Sequence, residues 1–286
     1  MTFRDDSDIS GGRTSRRGRN AGIALGAGGG GLALIVLLVG AFTGFDLSPL
    51  LGTTGGSPTG TTQGDTLDRC DTGSDANADI DCRMKGASAA LDAYWSQAVD
   101  GYTSTQIVLF TGAVDTGCGS ATSSVGPFYC PPDQTIYLDT DFYDELSTRF
   151  GASGGPLAQL YVVAHEWGHH IQNIIGNMDG LDLSTTGPAS DGVRLELQAD
   201  CFAGAWVGFE SDGTGYLEPV TQQQIADALS AAAAVGDDRI QKATTGQVNP
   251  EGWTHGSSEE RQRWFLAGYN GGPQACDTFA VAASEL

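Results

Sequence analysis

The chain has 286 residues, with 14 basic against 35 acidic side chains and a net charge of −21. A surface this negative repels phosphate backbones, which argues against a nucleic-acid partner and leaves a solvated acidic exterior as the ordinary reading. The length is enough for one sizeable domain with appendages.

Residues 1–19 are polar, rich in Gly, Ser and Arg, and without periodicity. They are expected to be a disordered cytoplasmic tail. No residue from Asn20 to Phe45 is charged, and the run around Leu32 to Val39 is strongly apolar. That length can cross a hydrocarbon core of about 30 Å, so 20–45 is predicted as a single transmembrane helix. Arg16, Arg17 and Arg19 precede it and Asp46 follows it. The positive-inside rule then places the N-terminus in the cytoplasm and everything downstream outside the cell membrane. A cleaved signal peptide is the alternative, although the apolar stretch is longer than a usual signal core. Residues 46–68, with Gly55-Gly56-Ser57-Pro58, read as a flexible linker. The globular domain is expected at 69–286.

Six cysteines fall after the apolar segment and none forms a Cys-x-x-Cys pair. That pattern suits disulfides in an oxidising compartment better than a structural zinc site. Of 15 connectivities, we expect Cys70–Cys82 and Cys118–Cys130, which close short local loops. Cys201–Cys276 would then staple the C-terminal tail to a core helix.

Within the domain, Arg83 to Val99 carries a helical apolar stripe. Gln106–Phe110 and Gln134–Asp139 read as strands, and Asp141–Arg149 as a short helix. Ile136–Asp139 is a candidate sheet edge for pairing with an extended peptide. Pro156 suits the first position of a long helix that Gly176 ends. A second long helix covers Asp191–Phe209. A third starts at the Thr221 cap, with Gln224 completing a capping box. A fourth starts at Ser257. Strands followed by helices indicate an α+β fold with a small N-terminal sheet, an active-site helix and a helical C-terminal part.

The helix opened by Pro156 contains His165-Glu166-Trp167-Gly168-His169. Positions i and i+4 share a helix face, so His165 and His169 can meet one ion. Glu166 departs about 100° away, within reach of a water on that ion. Two imidazoles, a carboxylate base and an open position are what a catalytic zinc ion needs. The chain has only four histidines and three lie within residues 165–170, which makes chance a poor explanation. His170 faces away from the pair and reads as structural.

The third ligand must come from elsewhere, because Ile175 stands where the longer His-Glu-x-x-His-x-x-Gly-x-x-His pattern needs His. Glu196 and Asp200 share one face of the next helix, which is otherwise apolar. Glu196 is the leading candidate for the ion, with Asp191 and Asp200 as alternatives. Asp200 also suits a position behind a ligand His, fixing its tautomer. His255, on a Gly-flanked loop, is the candidate catalytic donor to the oxyanion, with Tyr137 and Tyr161 as alternatives. Asp237-Asp238-Arg239 reads as a helix-end charge cluster or an interior ion pair.

His165-Glu-Trp-Gly-His-His-Ile-Gln172, followed by Glu196-Leu-Gln-Ala-Asp-Cys-Phe-Ala-Gly204, resembles the neutral zinc metallopeptidases, a membrane-anchored group of zincins. Phe128-Tyr-Cys-Pro131, Ile136-Tyr-Leu-Asp139 and His255-Gly-Ser-Ser-Glu-Glu-Arg261 resemble its pattern too. The resemblance spans about residues 69–280 and implies a zincin fold with a Glu third ligand, as in thermolysin-like enzymes. By it, His165, His169 and Glu196 hold one zinc, Glu166 is the general base, and Asp200 supports the ligands from behind. A zinc endopeptidase acting on peptide or protein substrates follows. The competing reading is an idle zincin domain that binds peptides or cell-envelope partners; retention of Glu166 favours the enzyme.

Overall fold

A computed structural model describes residues 2–17, 65 and 67–286. Strand β1 (Thr14–Arg16) precedes helices α1 (Gly73–Ala78) and α2 (Ile80–Ala98). Strands β2 (Gln106–Phe110), β3 (Ala113–Thr116), β4 (Gly119–Thr122), β5 (Phe128–Cys130) and β6 (Thr135–Asp139) follow. The rest is helical: α3 (Phe142–Thr148), α4 (Pro156–Ile174), α5 (Asp191–Glu210), α6 (Gln222–Ala234), α7 (Asp237–Thr245) and α8 (Ser258–Gly271). The fold is thus mixed α+β, with the sheet preceding most of the helices.

The main sheet has the order β1-β2-β6-β5, with β1, β2 and β6 parallel and β5 antiparallel to β6. Strands β3 and β4 form a separate hairpin. Two expectations need correction here. Strand β6 is interior and buried along its whole length, so Ile136–Asp139 is not a sheet edge; β5 is. The tail expected to be disordered is packed onto the domain. Phe3 and Ile9 are fully buried, and Thr14–Arg16 pair with Ile107–Leu109. The domain therefore includes residues 2–17 as well as the stretch from 69 onward. Among the described residues no helix is long and apolar enough to cross a membrane. The segment expected to do so, 20–45, lies outside them, as does nearly all of the linker.

Local rules account for the helix ends. Asp79 caps α2 by accepting from the amides of Asp81 and Cys82, which starts that helix three residues before Arg83. Thr221 with Gln224, and Ser257 with Glu260, form complete capping boxes. Close approach places the central helices. A Cβ on Gly268 of α8 would lie 1.8 Å from the Cys201 carbonyl oxygen of α5, so the two backbones touch. A Cβ on Gly168, inside the His-Glu-x-x-His motif, would lie 3.0 Å from the Ala199 backbone. Small residues at these crossings draw α4, α5 and α8 together around one core.

All three expected disulfides are present, with Cα–Cα distances of 5.1, 5.8 and 5.5 Å. Cys201–Cys276 spans 75 residues and ties the tail to α5. Chain entropy assigns a loop of that length about 4 kcal/mol and the 12-residue loops about 3 kcal/mol. Replacing Cys201 and Cys276 together by Ala is therefore expected to cost more stability than either other pair. Denaturant melts of the three double variants check the ranking, and an equal or inverted order contradicts it.

Candidate metal centre

Helix α4 presents His165 and His169 one turn apart, and α5 brings Glu196 between them. His165 Nε2 lies 3.1 Å from one Glu196 carboxylate oxygen, and His169 Nε2 lies 3.4 Å from the other. One ligand atom from each of the three residues falls within 4.8 Å of the others. Tetrahedral zinc with ligands at about 2.0–2.1 Å separates its donor atoms by about 3.3 Å. The two contacts from the imidazoles to Glu196 are near that spacing, and the chemistry of the set, two imidazoles and one carboxylate, suits zinc. The residues present fit the ion.

Each ring has an acceptor at Nδ1, the arrangement that would leave Nε2 free to ligate a metal. His165 Nδ1 faces Asp200 Oδ1 at 2.9 Å, and His169 Nδ1 faces Gln172 Oε1 at 2.8 Å. Gln172 is itself fixed, donating to the Leu195 carbonyl at 2.6 Å and to Gln198 Oε1 at 3.1 Å. Asp200 is the centre of a larger buried network. Arg261 donates from Nε to one of its oxygens at 2.7 Å and from Nη2 to the other at 3.0 Å. The Tyr161 hydroxyl also donates to Asp200 and accepts from Arg261. These second contacts orient ligand rings and raise their basicity.

The alternatives for the third ligand separate cleanly. Asp191 accepts from the Asp182 amide at the start of α5, away from the cluster. Asp200 stands behind His165. Glu196 alone reaches both Nε2 atoms. His170 is fully buried on another face, donating from Nε2 to the Thr103 carbonyl and accepting from the Tyr129 hydroxyl at Nδ1.

A cleft of about 290 Å³ opens beside the cluster. Its walls include His165, Glu166, His169, Glu196 and His255, with Val125, Phe128, Phe142 and Phe150 supplying apolar surface. The stretch 124–128 that leads into edge strand β5 forms one rim. His255 is oriented by Asp237, whose Oδ1 lies 3.3 Å from its Nδ1. The other Asp237 oxygen accepts the amides of Thr254, His255 and Gly256 at 2.7, 2.7 and 3.1 Å. Tyr137 instead donates to Asp133 at 2.7 Å, and the Tyr161 hydroxyl is engaged by Asp200 and Arg261.

The supports Gln172, Arg261 and Asp237 are the residues that sequence reasoning left without a role. Gln172 carried a signal, since it sits three residues after His169 on a buried helical face. Asp237 was legible only as a helix-end charge cluster or interior ion pair and Arg261 only as the end of the His255–Arg261 motif, because their partners, His255 and Asp200, are remote in the chain.

Electrostatics favour a cation here. Burial opposes charge on His165, yet Asp200 and Glu196 outweigh it and push its pKa up to about 10. Burial likewise opposes ionisation of Glu196 and Asp200, but the neighbouring histidines, and Arg261 beside Asp200, hold both below the ordinary carboxylate range. Burial raises Glu166, with His169 and His165 pulling partly the other way.

The signs give a pH window for the metal-free protein. The depressed carboxylates contribute stability that is present above their unfolded values of 3.8 and 4.5 and is lost as pH falls through the folded ones. His165 contributes fully below 6.5 and loses its contribution as pH rises through about 10. Urea midpoints of chelator-treated protein are expected to peak between about pH 5 and 6.5 and to fall on both sides. A midpoint flat from pH 4 to 10 contradicts this.

The structure is a mixed α+β domain with a buried His-His-Glu cluster, able to hold a metal ion, beside a cleft. The profile of the family described as putative neutral zinc metallopeptidase matches residues 3–279, and the chain belongs to that family. An uncharacterized protein of Mycobacterium tuberculosis, Rv2575, is 54% identical over 223 residues, 76% of each chain. The uncharacterized protein YpfJ of Escherichia coli is 38% identical over 272 residues, covering 90% of this chain and 89% of that one. No solved structure matches the chain.

Proposed function

We propose that this protein is a zinc-dependent metallopeptidase of the zincin type. The observation that carries the reading is the convergence of ligand atoms of His165, His169 and Glu196 within 4.8 Å of one another, with Glu166 beside them on the cleft wall. His165, His169 and Glu196 would hold the metal, with Asp200 and Gln172 fixing the two rings. Bound there, zinc would supply Lewis acidity, lowering the pKa of a water towards about 7 and polarising a carbonyl.

Glu166 takes a proton from the attacking water and passes it to the leaving nitrogen, so the amide bond breaks as the carboxylic acid and amine form. Its raised pKa suits that exchange. His255, held by Asp237, is the donor to the developing oxyanion. An extended peptide lies along the rim at 124–128 and pairs with edge strand β5. The three disulfides suit an oxidising compartment outside the cytoplasm, and segment 20–45 anchors the domain to the cell membrane.

The test is digestion of an unstructured protein such as casein by the purified chain. Cleavage that stops on chelation and returns with zinc is expected. Turnover that survives chelation, or a zinc-loaded protein that cuts nothing in an unbiased peptide library, overturns the reading.

A further inference from the structure

Residues 2–17 are bound to the domain along their whole length. The Thr2 and Phe3 amides donate to Asn77 Oδ1, and Phe3 bridges to Leu217. Ile9 donates its amide to the Asp71 carbonyl, and Gly73 donates to the Ser7 carbonyl. Strand β1 then adds to the sheet beside β2. Arg16 closes the segment: its guanidinium grips Asp81 through two bonds of 2.6 Å. This is a docked element with its own buried side chains, and the family match begins at residue 3, inside it.

The chain resumes beside the point where it leaves. The Arg16 amide donates to the Asp65 carbonyl at 2.8 Å, and the Asp65 amide donates to the Arg16 carbonyl at 3.0 Å. A hydrocarbon core is about 30 Å thick. One crossing between Arg16 and Asp65 would therefore put at least that distance between two residues whose backbones are hydrogen-bonded. It would also put Phe3 and Leu217 on opposite faces of the bilayer.

We infer that residues 2–17 and the metal-site domain lie on the same side of the membrane. Whatever segment 20–45 does in the bilayer, the chain departs and returns at one end of the main sheet. The N-terminus is then not a cytoplasmic tail behind an external domain, and Arg16, one of the three charges behind the positive-inside reading, is paired with Asp81 within the fold. This inference is independent of the peptidase reading.

Every cysteine is in a disulfide, so one introduced cysteine is a unique label site. Ser10 and Gln247 are both exposed. The full chain carrying Ser10→Cys or Gln247→Cys is treated with a membrane-impermeant maleimide on intact cells, then after permeabilisation. The two positions are expected to behave alike, both labelling in intact cells or both only after permeabilisation. Opposite behaviour overturns the inference. As a second readout, Phe3→Ala is expected to lower the unfolding temperature of the extracted full chain by several degrees; no shift overturns docking in the mature protein. Membrane retention in the same fractions reports on the anchor separately, and loss of peptidase activity bears on neither result.

Discussion

Exchanging Glu166 for Gln is expected to leave bound zinc unchanged and to cut peptide hydrolysis by at least about a hundredfold, and up to about ten-thousandfold. Gln has nearly the same volume and shape, so the packing of α4 should persist. It cannot accept the proton that an attacking water must lose. Glu166 is outside the group of ligand atoms that cluster together, so the metal should stay. Hydrolysis assays paired with metal analysis read both halves of the claim. Unchanged turnover ends the general-base role, and lost zinc moves Glu166 into the coordination set.

Exchanging Arg261 for Leu is expected to have the largest effect on stability. The guanidinium is buried with the Asp200 carboxylate, which is fully enclosed. Removing one partner of a buried ion pair costs about 3–5 kcal/mol, because the other charge is left poorly compensated. For a domain of this size that lowers the unfolding temperature by about ten degrees. Asp200 also orients His165, so zinc affinity should fall about ten- to a hundredfold. Arg261→Lys keeps the charge but loses the two-pronged grip and should fall between. Calorimetry and a competitive zinc titration measure the two effects. A variant that melts with the wild type and binds zinc equally well contradicts the assigned role.

The parts of the site legible in the sequence were those with local spacing. His165 and His169 at i and i+4, and Glu196 and Asp200 at i and i+4, each needed only a helix to make sense. The caps at Thr221 and Ser257 were equally local, and two of the three disulfides close short loops. What could not be read depends on distant partners. Strand β1 is three residues long, lies in an Arg-rich polar stretch, and pairs with a strand about ninety residues later, so composition alone points to disorder. Interior β6 and edge β5 differ only in what lies beside them. Helix α7 begins at Asp237, whose buried carboxylate meets amides near His255; its acidic start reads equally well as a solvated cluster. The Arg261 network exists only because α8 meets α5 at glycines.

The central claim is that His165, His169 and Glu196 hold one zinc ion. Its most direct test is the metal content of the purified full chain beside His169→Ala and Glu196→Ala, measured by mass spectrometry after dialysis. The wild type should carry about one zinc per chain, as a single three-ligand catalytic site requires, and each variant should carry far less. Equal zinc in all three proteins would contradict the account.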